Sequence, residues 1–206
     1  MKRVGLSREK VLQAALDLVD REGVAALSMR KLGRELGVEA MTLYYYVPNK
    51  DAVLDGLVER TLADVEVRPE GPWREWARRF AGSFRAALLA HPALLPLLAT
   101  RPVSTPGGLD TLERAAQALV KEGFDASEAL HVITTVATFV IGQVLAEAGR
   151  TPGHDEPEPV PDFDAERHPV LAQALAGGLG TPEDHRDRFD FALDALLAGL
   201  RPRQGP

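Results

Sequence analysis

Residues 28–50 read SMRKLGRELGVEAMTLYYYVPNK, and this pattern predicts two short helices joined by a tight turn. Ser28 can cap the first helix, because its side-chain oxygen can accept a hydrogen bond from a free backbone N–H. Gly37 suits the turn, since glycine adopts a left-handed conformation at little steric cost. Val38 and Leu43 are expected to anchor the second helix to a core. A helix-turn-helix of this kind places its second helix in the major groove of DNA.

The outer face of this motif carries side chains that suit contact with DNA. Threonine and tyrosine hydroxyls can bond phosphate oxygens, and Lys50 supplies a positive charge beside the start of the next helix. Arg30 can present two donors to guanine, whereas Ala40 and Met41 can touch the methyl group of thymine. The alternative is that the tyrosines fill a small three-helix core. The predicted DNA contacts are Met29, Arg30, Ala40, Met41, Thr42, Tyr44, Tyr46 and Lys50.

The same stretch resembles the signature of a known family. Residues 42–54, TLYYYVPNKDAVL, are similar to the run T-L-Y-x-x-V-x-N-K-x-x-L-L of the TetR family of transcription repressors, with a valine for the first leucine at the end of that run. Residues 28–32 resemble the preceding T-x-R-K-L-A run, with Gly33 in place of its alanine. The resemblance covers residues 7–55 closely and continues more weakly to the C-terminus. There the chain is most similar to the tetracycline-responsive members of the family.

Length and composition exclude several classes of protein. The chain has 206 residues and no cysteine, so it can form neither disulfides nor a thiolate metal site. We expect no signal peptide and no membrane span, because no run of about 18 apolar residues is evident, and we therefore expect a cytoplasmic protein. Residues 1–50 hold nine Lys and Arg against six Asp and Glu, although the whole chain has a net charge of −6. A basic N-terminal part on an acidic body indicates a DNA-binding head.

Helical periodicity continues through the rest of the chain, and no alternating strand pattern occurs. We therefore predict an all-α fold of nine or ten helices. Residues 1–48 are expected to form the helix-turn-helix DNA-binding domain, and residues 49–206 an effector-binding and dimerisation domain. Asn49 is expected to open a helix that runs to about Val67 and joins the two. Residues 150–167 are rich in proline and acidic side chains, so we expect this loop to be mobile.

Two helices of the body are more apolar than the surface of a monomer would require. The helix over residues 126–148 is apolar around much of its circumference, and the last helix carries a wide apolar face. The family resemblance implies that both pair with their copies in a second subunit as a four-helix bundle. The alternative is that both pack into the core of the protomer. The predicted interface residues are Ile133, Val140, Ile141, Val144, Phe189, Leu193, Leu196 and Leu197.

The body also offers apolar walls with a few polar groups, which is typical of a small-molecule pocket. The alternative is that these side chains are ordinary core. The segment from Leu94 to Pro102 is expected to act as a hinge, because its prolines leave its turns short of backbone hydrogen bonds. The residues predicted to bind an effector, partly by family resemblance, are Phe80, Phe84, Leu97, Thr100, Arg101, Pro102, Leu112, Thr138, Phe139 and Gln143.

The resemblance also limits the chemistry of the effector. Tetracycline-responsive relatives hold magnesium with a histidine and a glutamate, and Leu97 and Ala146 stand at the equivalent positions here. Leucine and alanine offer no oxygen ligand to magnesium. The resemblance therefore implies the mechanism of the family without tetracycline–magnesium as inducer. We predict a larger, largely apolar effector and neither a metal ion nor a cofactor.

No catalytic constellation is evident in the sequence. The chain has no Gly-rich phosphate loop, no nucleophile elbow and no helical pair of histidines four residues apart. The preferred hypothesis is a DNA-binding repressor that a small effector releases from a palindromic operator. A helix-turn-helix regulator that activates transcription, or that has no effector, is the alternative. A helical enzyme or scaffold is a more remote one.

Overall fold

A computed structural model describes residues 5–63, 65–148 and 163–203 of the chain. Within these ranges the structure has ten α-helices and no strand, which confirms the predicted all-α fold. The helices are α1 (Arg8–Glu22), α2 (Met29–Glu35), α3 (Ala40–Leu43), α4 (Lys50–Ala63), α5 (Trp73–Ala90), α6 (Leu95–Thr100), α7 (Pro106–Lys121), α8 (Ala126–Ala148), α9 (Pro169–Ala176) and α10 (Pro182–Gly199).

The N-terminal head is built around α1. Ser7 caps the start of this helix, because its hydroxyl accepts a hydrogen bond from the Lys10 N–H at 3.2 Å, and Gly23, which has φ +80°, follows its last residue. Its apolar stripe is fully buried against side chains of α2, α3 and α4. Leu94 and Leu97, from the turn before α6 and from α6 itself, complete the same core. The body therefore contributes to the core of the head.

Helix α4 joins the head to the body. The Asn49 side chain caps it by accepting a hydrogen bond from the Ala52 N–H at 2.8 Å, as predicted. The helix ends at Ala63 rather than near Val67. The chain then turns because Val65 enters the core of the body and the Glu66 N–H donates to the Ser83 hydroxyl at 2.9 Å. Helix α4 contributes side chains to the core of the head and to the core of the body. Packing therefore does not mark a boundary between domains at residue 48, and that boundary stays a prediction.

Helix α8 is the centre of the body and packs against α5, α7 and α10. Contrary to the expectation from the sequence, α8 is by length and composition alone long and apolar enough to cross a membrane. The buried residues of α8 are Ala129, Val132, Val136, Val140 and Val144, whereas the large apolar side chains Leu130 and Leu145 stay exposed. Arg85 on α5 ties to α8 through Glu147 at 2.6 Å. Arg74 caps the end of α10, with Nε 2.9 Å from the Leu197 carbonyl oxygen.

The structure places most of the residues predicted for the dimer interface inside the protomer, and the interface itself stays a prediction. Three α10 residues, Phe189, Leu193 and Leu197, are at most 3% exposed and lie in the core of the protomer. On α8, Val140 and Val144 are fully buried in the same core. Leu196 is partly buried against that core, and Ile133 and Ile141 face the internal cavity described below. The large apolar side chains that α8 and α10 leave exposed are Leu130, Leu145 and Phe191.

Residues 150–167 form the loop that is predicted to be mobile. Of these, residues 150–162 lie outside the described part of the chain. The last five residues of the loop, 163–167, form a turn that leads into α9. In this turn the Asp164 carboxylate accepts a hydrogen bond from the Glu166 N–H at 2.9 Å.

Candidate nucleic-acid interface and ligand cavity

The helix-turn-helix forms as the sequence predicts. The Ser28 hydroxyl accepts a hydrogen bond from the Lys31 N–H at 3.2 Å and so caps α2. Gly37, between the two helices, has φ +64°, a conformation that favours glycine. Leu43 is fully buried and anchors α3 to the core of the head. Only one turn of helix is present in α3, so the tyrosines that follow lie beyond its last residue.

Gly33 sets how closely α2 and α3 approach each other. Its carbonyl oxygen accepts a hydrogen bond from the Val38 N–H at 2.9 Å. A Cβ atom at Gly33 would stand 2.9 Å from the Val38 carbonyl oxygen and 3.1 Å from the Ala40 nitrogen. Both of these are backbone atoms, so side-chain rotation cannot relieve the contact. The glycine that replaces the family's alanine therefore permits a tight crossing here.

Gly33→Ala is expected to destabilise the protein by about 1–3 kcal/mol, because backbone must move to admit the methyl group. Operator affinity should fall as well, since α3 would shift. Gly82→Ala is the matched control: Gly82 is an exposed helical glycine with open space around its Cβ position. That substitution should raise stability by about 0.5–1 kcal/mol. Urea unfolding of both variants measures the difference, and equal stabilities would contradict the tight crossing.

The outer face of the motif exposes most of the predicted DNA contacts. Met41 is 71% exposed, and Arg30, Tyr44, Tyr46 and Lys50 are also exposed. Ala40 and Thr42 are half-buried, and the partly buried Met29 packs against the core of the head.

Sequence reasoning missed Tyr45, which is 88% exposed and is the most exposed of the three consecutive tyrosines. Helical spacing could not reveal it, because α3 has already ended at Leu43. The roles of all these side chains at DNA stay predictions.

The body contains a partly open cavity of about 410 Å³ between α4, α5, α7 and α8. Its wall is almost entirely apolar and includes three aromatic side chains, Trp76, Phe80 and Phe84. The two phenylalanine rings stack with their centroids 5.6 Å apart. The complete wall consists of Val58, Glu59, Leu62, Ala63, Val67, Trp76, Ala77, Phe80, Phe84, Leu98, Arg101, Val103, Gly107, Gly108, Thr111, Leu112, Ala115, Val132, Ile133, Val136, Ala137 and Ile141.

Four of the ten residues predicted to bind an effector lie on this wall, namely Phe80, Phe84, Arg101 and Leu112. The structure does not bring the others to it. Leu97 is buried in the core of the head, on the far side of α6. The Thr100 hydroxyl donates to the Pro96 carbonyl oxygen at 2.7 Å, and Pro102 lies beside a separate small crevice.

Three predicted residues of α8 lie away from the cavity because of the helix rotation. The α8 residues on the wall are Val132, Ile133, Val136, Ala137 and Ile141. Thr138 comes one residue after Ala137, which turns it about 100° away, and its hydroxyl donates to the Thr134 carbonyl oxygen at 2.8 Å. The Phe139 ring instead contacts the Phe189 ring, with centroids 5.5 Å apart. Gln143 is half-buried and does not reach the cavity.

Arg101 joins the end of α6 to α4. Its Nε donates to the Asp55 carboxylate at 2.6 Å, and its Nη2 donates to the Asp51 carbonyl oxygen at 3.1 Å. The hydrogen bond from Arg101 holds the pKa of the Asp55 carboxyl below its ordinary value. Because the folded-state pKa is lowered, this pair stabilises the fold at neutral pH, and the contribution is lost only as acid protonates Asp55. The contact therefore persists under physiological conditions.

Sequence reasoning also missed Glu59, a charged residue of the wall. Asp51, Asp55 and Glu59 recur every four residues on α4, a spacing that predicts one common helix face. A row of charges on a helix usually indicates a solvated face, so the pattern alone did not indicate a cavity. Among the described residues, no cluster of three His, Asp or Glu side chains could hold a metal ion. The absence of a metal from the effector stays a prediction.

Comparison with known proteins identifies the two parts of the chain. Residues 11–57 match the family described as bacterial regulatory proteins of the tetR family. Residues 67–203 match the tetracyclin repressor-like C-terminal domain. The first match covers the helix-turn-helix, and the second covers the helices around the cavity apart from α4.

Individual relatives extend the same similarity over nearly the whole chain. An HTH-type transcriptional regulator of Saccharopolyspora erythraea is 39% identical over 210 residues, covering 97% of this chain and 86% of that protein. The class D tetracycline repressor protein of Escherichia coli is 34% identical, covering 95% and 89% respectively. The crystal structure of Streptomyces coelicolor ActR in complex with actinorhodin has a TM-score of 0.74 at 30% identity, covering 96% of this chain and 97% of that chain. These relatives are regulators rather than enzymes, and the chain belongs to the TetR family of transcriptional regulators.

Proposed function

We propose that the protein is a cytoplasmic repressor that binds a palindromic DNA operator as a homodimer and is released by a small, largely apolar effector. The observation that carries this proposal is the position of the cavity. Its wall includes side chains of α4, the helix that begins directly after the helix-turn-helix. A ligand in the body therefore touches the element that carries the DNA-binding head. The names of the relatives, which include tetracycline repressors, support the same function.

Release requires that the effector bind one conformation better than the other. Arg101 lies on the cavity wall and is bonded to Asp51 and Asp55 of α4. A ligand that displaces Arg101, or the end of α6 that carries it, would tilt α4. The tilt would move the two recognition helices of a dimer away from the spacing of about 34 Å that successive major grooves require.

The homodimer is supported by the apolar side chains that the protomer leaves uncovered. Leu145 on α8 is 56% exposed, and Phe191 on α10 is 78% exposed. The family resemblance implies pairing through these two helices, and a two-fold dimer suits a palindromic operator. We therefore place the interface on the exposed faces of α8 and α10 rather than on their buried side chains.

Selection from random DNA duplexes tests the proposed function. The protein should enrich a palindrome whose half-sites lie one helical turn apart, about 10 base pairs from centre to centre. Gel retardation with that duplex should then show release by a ligand that binds the cavity. Enrichment of no palindrome would contradict the operator, whereas a ligand that binds without causing release would contradict the switch.

Lys50→Ala should weaken DNA binding equally for all sequences, because Lys50 is exposed at the start of α4 and is expected to contact a phosphate. The slope of log K against log salt concentration should become shallower by about one. Lys121→Ala, at an exposed position at the end of α7 in the body, serves as control and should leave the slope unchanged. If Lys50→Ala alters sequence preference at a constant salt slope, Lys50 contacts a base instead.

A further inference from the structure

The two charged side chains of the cavity wall differ in how firmly they are held. Arg101 is engaged by two carboxylates, with Nε 2.6 Å from Asp55 and Nη1 3.3 Å from Asp51. Its Nη2 also donates to the Asp51 carbonyl oxygen at 3.1 Å. An anionic ligand would have to displace all of these oxygens. The positive end of the wall is therefore already neutralised.

Glu59 is held much more loosely. Its Oε2 lies 3.2 Å from Arg8 Nη2, and the two side chains are 38% and 53% exposed respectively. An exposed ion pair of this kind contributes little, because water screens both charges. The other oxygen, Oε1, lies on the α7 side, 3.7 Å from the position that a Cβ atom on Gly107 would take. Glu59 can therefore exchange its partner at little cost.

The balance of charge around this end of the cavity is negative. Three carboxylates, those of Asp51, Asp55 and Glu59, meet two cations, Arg101 and Arg8. Although water screens the Asp51 side chain, which is 75% exposed, the group therefore carries one net negative charge. A ligand that brings a single cation would complete it, whereas a ligand that brings an anion would increase the imbalance.

We propose that the effector is a lipophilic monocation, an aromatic molecule with one protonated amine whose ammonium group binds Glu59. This inference rests on the proposed function, because it names the chemical class of the effector. The aromatic body would lie against Trp76 and the stacked rings of Phe80 and Phe84. Aromatic faces also attract a nearby cation, which adds to the preference for an amine.

Binding of the ammonium group to Glu59 has a direct consequence for the head. Arg8 lies in the first turn of α1, and its ion pair with Glu59 ties α1 to α4. The ammonium group competes with Arg8 for the same carboxylate. The cationic ligand therefore removes one surface contact between α1 and α4, which a neutral ligand of the same shape leaves in place, while the buried core still holds the two helices together.

Three pyrene derivatives test the charge preference, since they share one aromatic body: pyrene-butylamine, pyrene-butanol and pyrene-butyrate carry a cation, a neutral hydroxyl and an anion. Calorimetric titration of the full chain should give pyrene-butylamine an affinity about tenfold above that of pyrene-butanol, because its hydrogen bond to Glu59 is charge-assisted. Pyrene-butyrate should bind more weakly than the alcohol. The amine should also release operator DNA at the lowest concentration.

Substitutions locate the preference. Glu59→Gln should make the amine and the alcohol bind equally, with the affinity for the alcohol unchanged. Arg8→Gln should strengthen binding of the amine alone, because the competing cation is gone. Glu113→Gln is the control, because it removes an exposed carboxylate of α7 rather than Glu59 of α4. This variant should still bind the amine more tightly than the alcohol.

The outcomes separate this inference from the proposed function. If pyrene-butyrate binds most tightly, or if Glu59→Gln keeps the preference for the amine, the cationic class is wrong. The ligand-released repressor would still stand if the butyrate or the alcohol released the operator. Conversely, binding of the amine that depends on Glu59 but leaves operator affinity unchanged would support the ligand class and contradict the switch.

Discussion

Leu197→Asp is expected to destabilise the protomer itself rather than only to split a dimer. Leu197 is 1% exposed and lies in the core of the body beside Phe189 and Leu193. The substitution removes a buried leucine and introduces a carboxylate without a partner in the same place. We expect a loss of about 4 kcal/mol or more, because the cavity cost and the desolvation cost add. This is a large fraction of the roughly 5–15 kcal/mol by which proteins of this kind are stable.

Phe191→Asp is the matched comparison, since it places the same charge on the same helix. Phe191 is 78% exposed, so the stability of the protomer should change by no more than about 0.5 kcal/mol. If the exposed face of α10 forms the interface, this variant should stay folded, sediment as a monomer and bind the operator weakly. Circular dichroism and sedimentation distinguish the two variants. A Leu197→Asp protein that sediments as a monomer with the stability of the unmodified protomer would restore the interface inferred from the sequence.

Arg101→Ala should keep operator binding within a few-fold of the unmodified protein but lose release by ligand. In the substituted protein the end of α6 no longer forms hydrogen bonds with Asp51 and Asp55. A ligand that moves α6 can therefore no longer move α4 through Arg101. Arg101 is one of many wall residues, and the apolar part of the cavity remains. We therefore expect the concentration of pyrene-butylamine needed for release to rise by about tenfold or more, although the amine itself should bind at least as tightly because a cation of the wall is gone.

Two measurements on each protein are needed to assign this effect. Titration of the probe amine gives its affinity, and gel retardation at saturating amine gives the remaining affinity for the operator. Arg201→Ala, an exposed position after α10, serves as control and should be released normally. Normal release of Arg101→Ala, or a parallel loss of amine binding, would show that coupling to α4 follows another route.

Local features of the fold follow directly from short-range chemistry in the sequence. Ser28 and Asn49 cap their helices as predicted, because each cap depends only on a side chain and an N–H group three residues away. Gly37 adopts the predicted left-handed conformation for the same kind of reason. The end of α4 was harder to predict, since it depends on a hydrogen bond from Glu66 to Ser83 on another helix.

The orientation of buried helices was less predictable. On α8 almost every face is apolar, so the sequence could not show whether Ile133 or Thr138 faces the cavity. One residue turns a helix by about 100°, and packing against α5, α7 and α10 selects the orientation. The same ambiguity applies to Val140 and Leu193, whose apolar character suits a dimer interface as well as a core, and the protomer buries both.

The sequence by itself determined the family, the all-α fold and the helix-turn-helix, because these depend on periodicity, caps and a run of specific residues close together in the chain. Only the tertiary structure decided which side chains line the cavity and which lie in the core. Leu97 was predicted to line the cavity but lies in the core of the head. Glu59 lines the cavity although the sequence did not predict it. The physical reason is that a cavity wall combines residues from several helices, and their relative rotation follows from long-range packing that local sequence patterns do not encode.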